Sequence, residues 1–385
     1  MKQSMLYPRA SASRRVVDLG GMWKFCLDWD GTGDAKGWKD GIPGEEKIPV
    51  PASFNDFYTD KDIREFAGDF WYETEVFVPG EWKEMHVDLR FAALTHRGTV
   101  YVNGREIISH EGGFLPFSAR IDDVVRWNEK NLVVVKGNNE LSFTSLPAGF
   151  TQTLKSGKKM VRPFFDFFNY AGIQRPVKLV ALPKEYIVDF TVNHRLEGTT
   201  AYVDYQTETT GDHPVTVEVF DEAGNFVTKA EGKEGTLTIP DARLWEVRDA
   251  YLYRFVLRML DGDAVLDEYE EEIGIRTFGI RGNSFLLNGH PVYLKGFGKH
   301  EDSDIVGRGY HPGVIKRDFE LMKWIGANSF RTSHYPYSEE IYQMADREGF
   351  LVIDEVPAVG FFESLVNFVD AVSGKSTNFF ERSTV

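Results

Sequence analysis

The sequence predicts a multi-domain chain of β plus α/β class: a jelly-roll β-sandwich, an immunoglobulin-like β-sandwich, and the opening part of a (β/α)8 TIM barrel. Three observations predict it. Up to about residue 276, short alternating runs of aromatic and β-branched residues are punctuated by Gly, Asn and Asp turns, the pattern of stacked antiparallel sheets. From about 277 the apolar period lengthens from two to that of a helix. There helix, strand, helix and strand follow in turn, and each strand ends in polar residues, as in a parallel barrel whose chemistry sits at the carboxyl ends of its strands. At 385 residues the chain exceeds one ordinary core, and the three units are expected over 1–183, 184–276 and 277–385.

In the first unit, Phe70 to Val78, His86 to Phe91 and Gly98 to Val102 have strand periodicity. Asn103-Gly104 is a tight hairpin signal because both residues readily take positive φ. Glu111-Gly-Gly113 and Gly137-Asn-Asn139 read as further turns. Several short strands with such punctuation suggest a jelly roll, with most of the dense aromatics in its core. In the second unit, Ala201 to Tyr205, Pro214 to Phe220 and Ala250 to Leu257 alternate, with turns at Asp221-Glu-Ala-Gly224 and Asp261-Gly-Asp263. That fits an immunoglobulin-like sandwich without the cysteine pair, acting as a spacer and packing partner.

The third unit opens with a hairpin from Phe285, then barrel strand one over Val292 to Gly296. Pro312 to Ala327 places Val314, Ile315, Phe319, Leu321, Met322 and Ile325 on one helical arc. Asn328 to Pro336 holds strand two. Ser338, followed by Glu339 and Glu340, opens a second helix that Gly349 closes. Phe350-Leu-Val-Ile353 is strand three, ending in Asp354-Glu355. A closed barrel needs eight strands, so three read as part of one, unable to bury a core alone. Arg331, His334, Asp354 and Glu355 all fall at strand ends. Taken singly, each is an ordinary strand-terminal polar residue; together at one end of a barrel they read as a site.

Composition excludes several classes. Lys and Arg number 44 against 59 Asp and Glu, a net charge of −15, which argues against nucleic acid and anionic membrane as partners. An anionic small substrate remains possible in a locally basic pocket. The single cysteine, Cys26, excludes a disulfide framework and a Cys-rich metal site, and its apolar strand setting points to packing. His300, Glu301, Asp302 and Asp304 form an acidic cluster without metal-ligand spacing and read as a solvated loop, so neither metal nor cofactor is expected. No Gly-x-Ser-x-Gly elbow accompanies Ser333-His334. Met1 to Arg15 lacks the apolar stretch of a secretory leader, and no run is long enough to span a bilayer, so a reducing, cytoplasmic setting is expected.

Asn328-Ser-Phe-Arg-Thr-Ser-His-Tyr-Pro336, followed about twenty residues on by Asp354-Glu355, resembles the barrel signature of glycoside hydrolase family 2. That family includes β-galactosidases, β-mannosidases and β-glucuronidases. Pro51-Ala-Ser-Phe-Asn-Asp56, Gly68-Asp-Phe-Trp-Tyr72, Thr95-His-Arg-Gly98, Glu111-Gly-Gly-Phe114 and Asn138-Asn-Glu-Leu141 are similar to the sugar-binding domain of the glucuronide-cleaving branch. So is Phe164-Phe-Asp-Phe-Phe-Asn-Tyr-Ala-Gly172, its loop facing the active site, and so is Gly296-Phe-Gly-Lys-His-Glu-Asp302.

The resemblance implies retaining hydrolysis of a terminal β-D-glucuronic acid by two carboxyl groups about 5–5.5 Å apart. The family's acid/base lies in an Asn-Glu-Pro motif after strand four, and its nucleophile glutamate follows strand seven. Here Asn-Glu occurs only at Asn128-Glu129 and Asn139-Glu140, followed by Lys and Leu. Both catalytic glutamates are therefore expected beyond Val385, and the chain as given is expected to be inactive. By position, neither catalytic role moves to Asp354 or Glu355.

Three substrate-binding residues carry over. Asp166 would accept hydroxyl hydrogen bonds, the alternative being a cap of the Phe-rich turn. His300 and His334 would line the sugar pocket, or His300 would orient a neighbouring carboxylate. Arg331 would support the nucleophile and is expected to lack that partner here. The segment Phe361 to Val385 would shape the entrance for the leaving group, and the intact parent would be a homo-oligomer, a tetramer by family. A galactosidase or mannosidase of the same family, or a non-catalytic carbohydrate-binding protein, is the alternative reading.

Overall fold

The computed structural model of the chain describes residues 3–359. The stretch Phe361 to Val385, expected to shape the leaving-group entrance, lies outside the described residues.

The first sandwich grows from alternation. Along Asp69–Val78 and its antiparallel partner Glu129–Asn138, Phe70, Tyr72, Val133 and Val135 turn to the inner face, while Trp71 and Val134 pack on the other with Ile42 and Tyr101. These two are central in a six-stranded sheet ordered Lys47–Val50, Gly21–Leu27, Asp69–Val78, Glu129–Asn138, Arg97–Val102, Arg105–Glu111. Facing it is a four-stranded sheet ordered Arg15–Asp18, Val177–Leu182, His86–Phe91, Phe117–Arg120. Trp23, Phe25, Phe54, Phe70, Tyr72, Leu89 and Phe91 fill the space between them. Asn103 and Gly104 take positive φ and make the expected hairpin.

Gly137-Asn-Asn139 is not the expected turn. Gly137 lies inside strand Glu129–Asn138, where a Cβ would sit 2.2 Å from the Phe70 ring. Its glycine admits an aromatic side chain, not a bend.

His86–Phe91 alternates in sequence yet is buried on both faces. Val87, Leu89 and Phe91 face the core. On the other face Arg120 donates to Asp88 at 2.6 Å, and Arg90 donates to both oxygens of Glu339, in the barrel part, at 2.9 Å.

The second sandwich packs Ile187–Glu197, Thr200–Thr209 and Glu234–Ile239 against Phe226–Glu231, Val215–Phe220, Tyr253–Asp261 and Ala264–Ile273. Val203, Tyr205, Val217, Phe255, Leu257 and Met259 form its core. The strand expected from Ala250 begins only at Tyr253, because Ala250 and Leu252 pack instead against Trp245, Leu287 and Leu351 at the barrel junction. Residues ahead of Arg15 run across this sandwich: Arg14 meets Asp267 at 2.5 Å with both side chains buried, and the Met5 amide donates to the Val188 carbonyl.

Three parallel strands, Gly296–Lys299, Ser329–Thr332 and Leu351–Ile353, lie side by side in that order. Strand one is displaced from its expected place. His290–Val292 instead completes an antiparallel unit with Phe278–Arg281 and Ser284–Leu287, and the barrel strand starts at Gly296. Glycine's weak strand preference hid it. The glycines are required by close approach: a Cβ on Gly296 would meet the Ser329 carbonyl oxygen at 2.1 Å, and one on Gly298 the Ser333 hydroxyl at 2.3 Å.

The first barrel helix is Pro312–Trp324, shorter than expected, with Gly326 at φ 77° just beyond it. Ile315, Phe319 and Met322 are buried, while Leu321 and Ile325 are exposed, so only part of the apolar arc is covered among the described residues. The second helix is Glu339–Glu348, and Gly349 closes it in the left-handed conformation with its amide on the Ala345 carbonyl. Ser338 stands at the N-cap, but its side chain accepts no helix amide; its own amide donates to Glu301 at 2.9 Å.

The barrel part buries a core jointly with the first sandwich. Ile315, Phe319, Met322, Phe330, Tyr335, Ile341 and Phe350 pack together, and the first sandwich adds Phe114. What stays open is the antiparallel unit, where Phe278, Ile280, Phe285 and Tyr293 are exposed. The sandwiches hold the barrel through its carboxylates, as in Arg90–Glu339, and also through its main chain. Arg175 donates to the Pro336 carbonyl at 2.5 Å and Trp245 Nε1 to that of Asp346 at 2.7 Å. Arg248 donates to the carbonyl of Ala327 at 3.2 Å, and the Ser53 hydroxyl to that of Arg308 at 2.6 Å.

Candidate functional site

The Phe-rich stretch Phe164 to Tyr170 leaves the first sandwich and lies against the ends of strands one and two. Its anchors are polar. Asn169 takes the His96 Nε2 contact at 2.6 Å and donates to the Asn139 carbonyl at 3.1 Å, while the Tyr170 hydroxyl donates to Asp56 at 2.6 Å. Full burial pushes His96 down to about 4, so it is neutral at pH 7 and holds one fixed tautomer.

With the loop anchored, Phe165 and Phe167 turn inward and Asp166 turns out, its side chain 87% exposed. The Asp166 carboxylate comes within 4.0 Å of His334 Nε2. The Phe167 ring lies 5.4 Å from the His300 ring and 6.1 Å from that of His334, which are 5.7 Å from each other. Residues from two domains far apart in sequence thus share one face: an outward carboxylate, two imidazoles and an aromatic wall.

His300 contacts the Tyr335 hydroxyl through Nδ1 at 3.2 Å. Burial depresses its pKa, with Asp302 opposing and Arg308 and His334 adding to the shift, so the ring is neutral at neutral pH. His334 Nδ1 lies 3.2 Å from Glu355. Arg331, expected to lack the nucleophile carboxylate as partner, meets a different carboxylate: its Nε lies 2.8 Å from Glu355. Strand three, ending beside strand two, supplies that carboxylate. Asp354 turns away, accepting from Thr332 at 2.9 Å and from the Tyr342 hydroxyl at 2.6 Å, and so ties strand two to strand three and the second helix.

The acidic cluster is only in part a solvated loop: Asp304 is exposed, but its neighbours are not. Glu301 is buried, 2.9 Å from the buried guanidinium of Arg175, and Asp302 lies 3.6 Å from buried Arg308. Sequence reasoning missed Arg175, Glu301 and Arg308, because a buried charge cannot be told from a solvated one until its partner is known. The Asn169–His96 contact was equally hidden, although both residues stand in motifs singled out above.

Chemically, this face can accept hydrogen bonds from hydroxyl groups at Asp166, exchange them at the two imidazoles, and offer aromatic edges to a sugar ring. Three comparisons bear on it. Residues 16–183 match the model "Glycosyl hydrolases family 2, sugar binding domain", residues 177–276 match "Glycosyl hydrolases family 2", and residues 278–379 match "Glycosyl hydrolases family 2, TIM barrel domain". The chain belongs to glycosyl hydrolases family 2.

Its relatives within family 2 include β-glucuronidases. That of Paenibacillus borealis is 43% identical over 380 residues, covering 96% of this chain and 63% of the relative. The human β-glucuronidase is 38% identical over 405 residues, covering 97% of this chain and 61% of the relative. Among solved structures, Ruminococcus gnavus β-glucuronidase in complex with D-glucuronic acid is 56% identical with a TM-score of 0.92, over 93% of this chain and 62% of that one. The same enzyme in complex with uronic isofagomine gives a TM-score of 0.95 at 56% identity, over 99% of this chain and 63% of that one. The chain therefore spans about three fifths of the length of the family 2 relatives it matches.

Proposed function

We propose that these residues form the sugar-recognising part of a retaining β-glucuronidase, which removes a terminal β-D-glucuronic acid from a conjugate. The observation that carries the reading is the approach of Asp166 to His334 at 4.0 Å, which joins the sandwich loop to the barrel strand ends. It is supported by the likeness, at 56% identity, to a β-glucuronidase solved with D-glucuronic acid. Asp166, His300 and His334 bind sugar hydroxyls, and Arg331, held by Glu355, keeps the mouth of strand two in place. Bond cleavage requires a proton-donating carboxyl and an opposed nucleophile. Glu355 is engaged with Arg331 and His334, and Asp354 with Thr332 and Tyr342, so neither is free for that work. The reading extends to a homo-oligomer in a reducing, cytoplasmic setting.

The test uses a polypeptide of residues 1–385 incubated with p-nitrophenyl β-D-glucuronide beside an intact β-glucuronidase. No turnover above a heat-treated control is expected, together with D-glucuronic acid binding detectable by ligand-observed NMR. Turnover would mean the catalytic pair lies within these residues, with Glu355 the first to substitute. Preference for galactose or mannose over glucuronic acid would move the chain to another branch of the family.

A further inference from the structure

Arg308 is a buried cation that no step above uses. It ends a short antiparallel clip, Asp302–Ser303 with Gly307–Arg308, that follows His300 and reaches into the first sandwich. Its side chain is 2% exposed. The guanidinium carbon lies 4.3 Å from the centre of the Tyr335 ring, 5.2 Å from Phe167 and 5.3 Å from Phe114. Tyr170 stands at 6.0 Å, and one terminal nitrogen reaches the Phe168 carbonyl at 3.5 Å. Two of these rings and that carbonyl belong to the loop that carries Asp166; Tyr335 follows His334. The guanidinium is therefore the point where the sandwich loop, the first barrel strand's extension and the second strand's end converge.

We propose that Arg308 is the positioning residue of the sugar face, its guanidinium holding the Asp166 loop in register with His300 and His334 through the rings that enclose it. The proposal rests on the sugar-site reading for its function, but not for its geometry. A desolvated cation over aromatic rings is attracted to each of them, and a planar guanidinium can lie flat on one ring while its edges face others. Lysine, a point charge, cannot do both. Asp302, at 3.6 Å, balances the charge; its Oδ1 and Arg308 Nε are both buried without a hydrogen-bond partner among the described residues. The guanidinium is thus tied to the rings more than to its counter-ion.

The arrangement has a second effect. His300 is faced by Asp302, Arg308, His334, Asp166 and the Tyr335 hydroxyl. Among these, Arg308 is the permanent cation, and its charge opposes protonation of the ring. Neutral His300 retains an acceptor nitrogen as well as a donor, which a hydroxyl-binding face needs.

The test compares wild type, Arg308→Met and Arg308→Lys in the 385-residue chain by three measurements. Backbone hydrogen exchange at residues 165–169 should rise about tenfold in Arg308→Met, with the strand Asp69–Val78 unchanged, because a local opening is being eased. The His300 titration, assigned by His300→Gln, should move up in Arg308→Met and stay near wild type in Arg308→Lys, whereas a purely structural role would not separate the two. D-glucuronic acid binding should weaken in both. If Arg308→Met fails to fold, Arg308→Lys decides: faster loop exchange with an unmoved His300 titration supports the proposal. Unchanged loop exchange in a folded variant overturns it. If exchange and titration respond but wild type binds no glucuronic acid, the positioning role stands and the sugar-site reading falls.

Discussion

Glu301, at the end of the first barrel strand, lies 2.9 Å from Arg175 of the first sandwich, and both side chains are more than nine-tenths buried. The pair is not isolated. Arg175 also donates to the Phe114 carbonyl at 2.7 Å, and Glu301 accepts the amide of Ser338. One carboxylate thus neutralises a guanidinium and starts a helix, where the helix dipole favours a negative charge.

Removing one partner leaves the other charged and desolvated, which costs about 3–5 kcal/mol. Arg175→Met and Glu301→Gln should each lower the stability of the chain by that order. The double variant should cost less than the sum of the two, and a urea-unfolding double-mutant cycle measures the difference. Additive losses would mean that the two side chains do not interact.

Asp166 should be separable from folding. Its side chain is 87% exposed, so Asp166→Ala should leave the melting temperature unchanged. Losing a charge-assisted acceptor costs about 1.5–3 kcal/mol, so D-glucuronic acid binding should weaken by roughly ten- to a hundredfold. Titration by NMR checks it, and wild-type affinity in a folded variant would remove Asp166 from the sugar face.

Acid should loosen the Asp166 loop by way of His96. Burial holds the folded pKa at about 4 against an ordinary value of 6.5. The unfolded chain therefore binds the proton first, and stability present above pH 6.5 drains away until the folded ring also protonates near pH 4. The loss is about 3 kcal/mol over that window. Unfolding free energies at several pH values should show it in wild type and lack it in His96→Gln, whose amide can still contact Asn169.

Exchange protection in the barrel part should be split. Phe319, Phe330, Ile341 and Phe350 share a packed core, whereas Phe278, Ile280 and Phe285 are exposed on the antiparallel unit. Amides of Pro312–Trp324 and Glu339–Glu348 should therefore exchange more slowly than those of Phe278–Val292. Equal protection of the two would show that the exposed sheet is stabilised by something other than apolar packing.

The sequence carried the order of the three architectures, because alternation and helical period are local properties. It carried the placement of Arg331, His334, Asp354 and Glu355 at strand ends for the same reason, since strand ends can be read. It failed where long-range contact decides. Gly296 and Gly298 look like breakers until the neighbouring strand's Ser329 and Ser333 are seen to crowd them. Glu301 looks solvated until Arg175, 126 positions away in the chain, is placed beside it. The Arg331–Glu355 contact went unread because it needs strands two and three in register.

The grip of the sandwiches on barrel carbonyls has a consequence for divergence. Arg175, Trp245, Arg248 and Ser53 supply the donors, while Pro336, Asp346, Ala327 and Arg308 contribute only oxygens that every amino acid carries. The acceptor side can change its side chains without losing these bonds; the donor side cannot. Substitutions that accumulate over evolutionary time should therefore be freer at Pro336 and Ala327 than at Arg175 and Arg248, while Glu301 and Glu339, which meet the sandwich through their side chains, should be held.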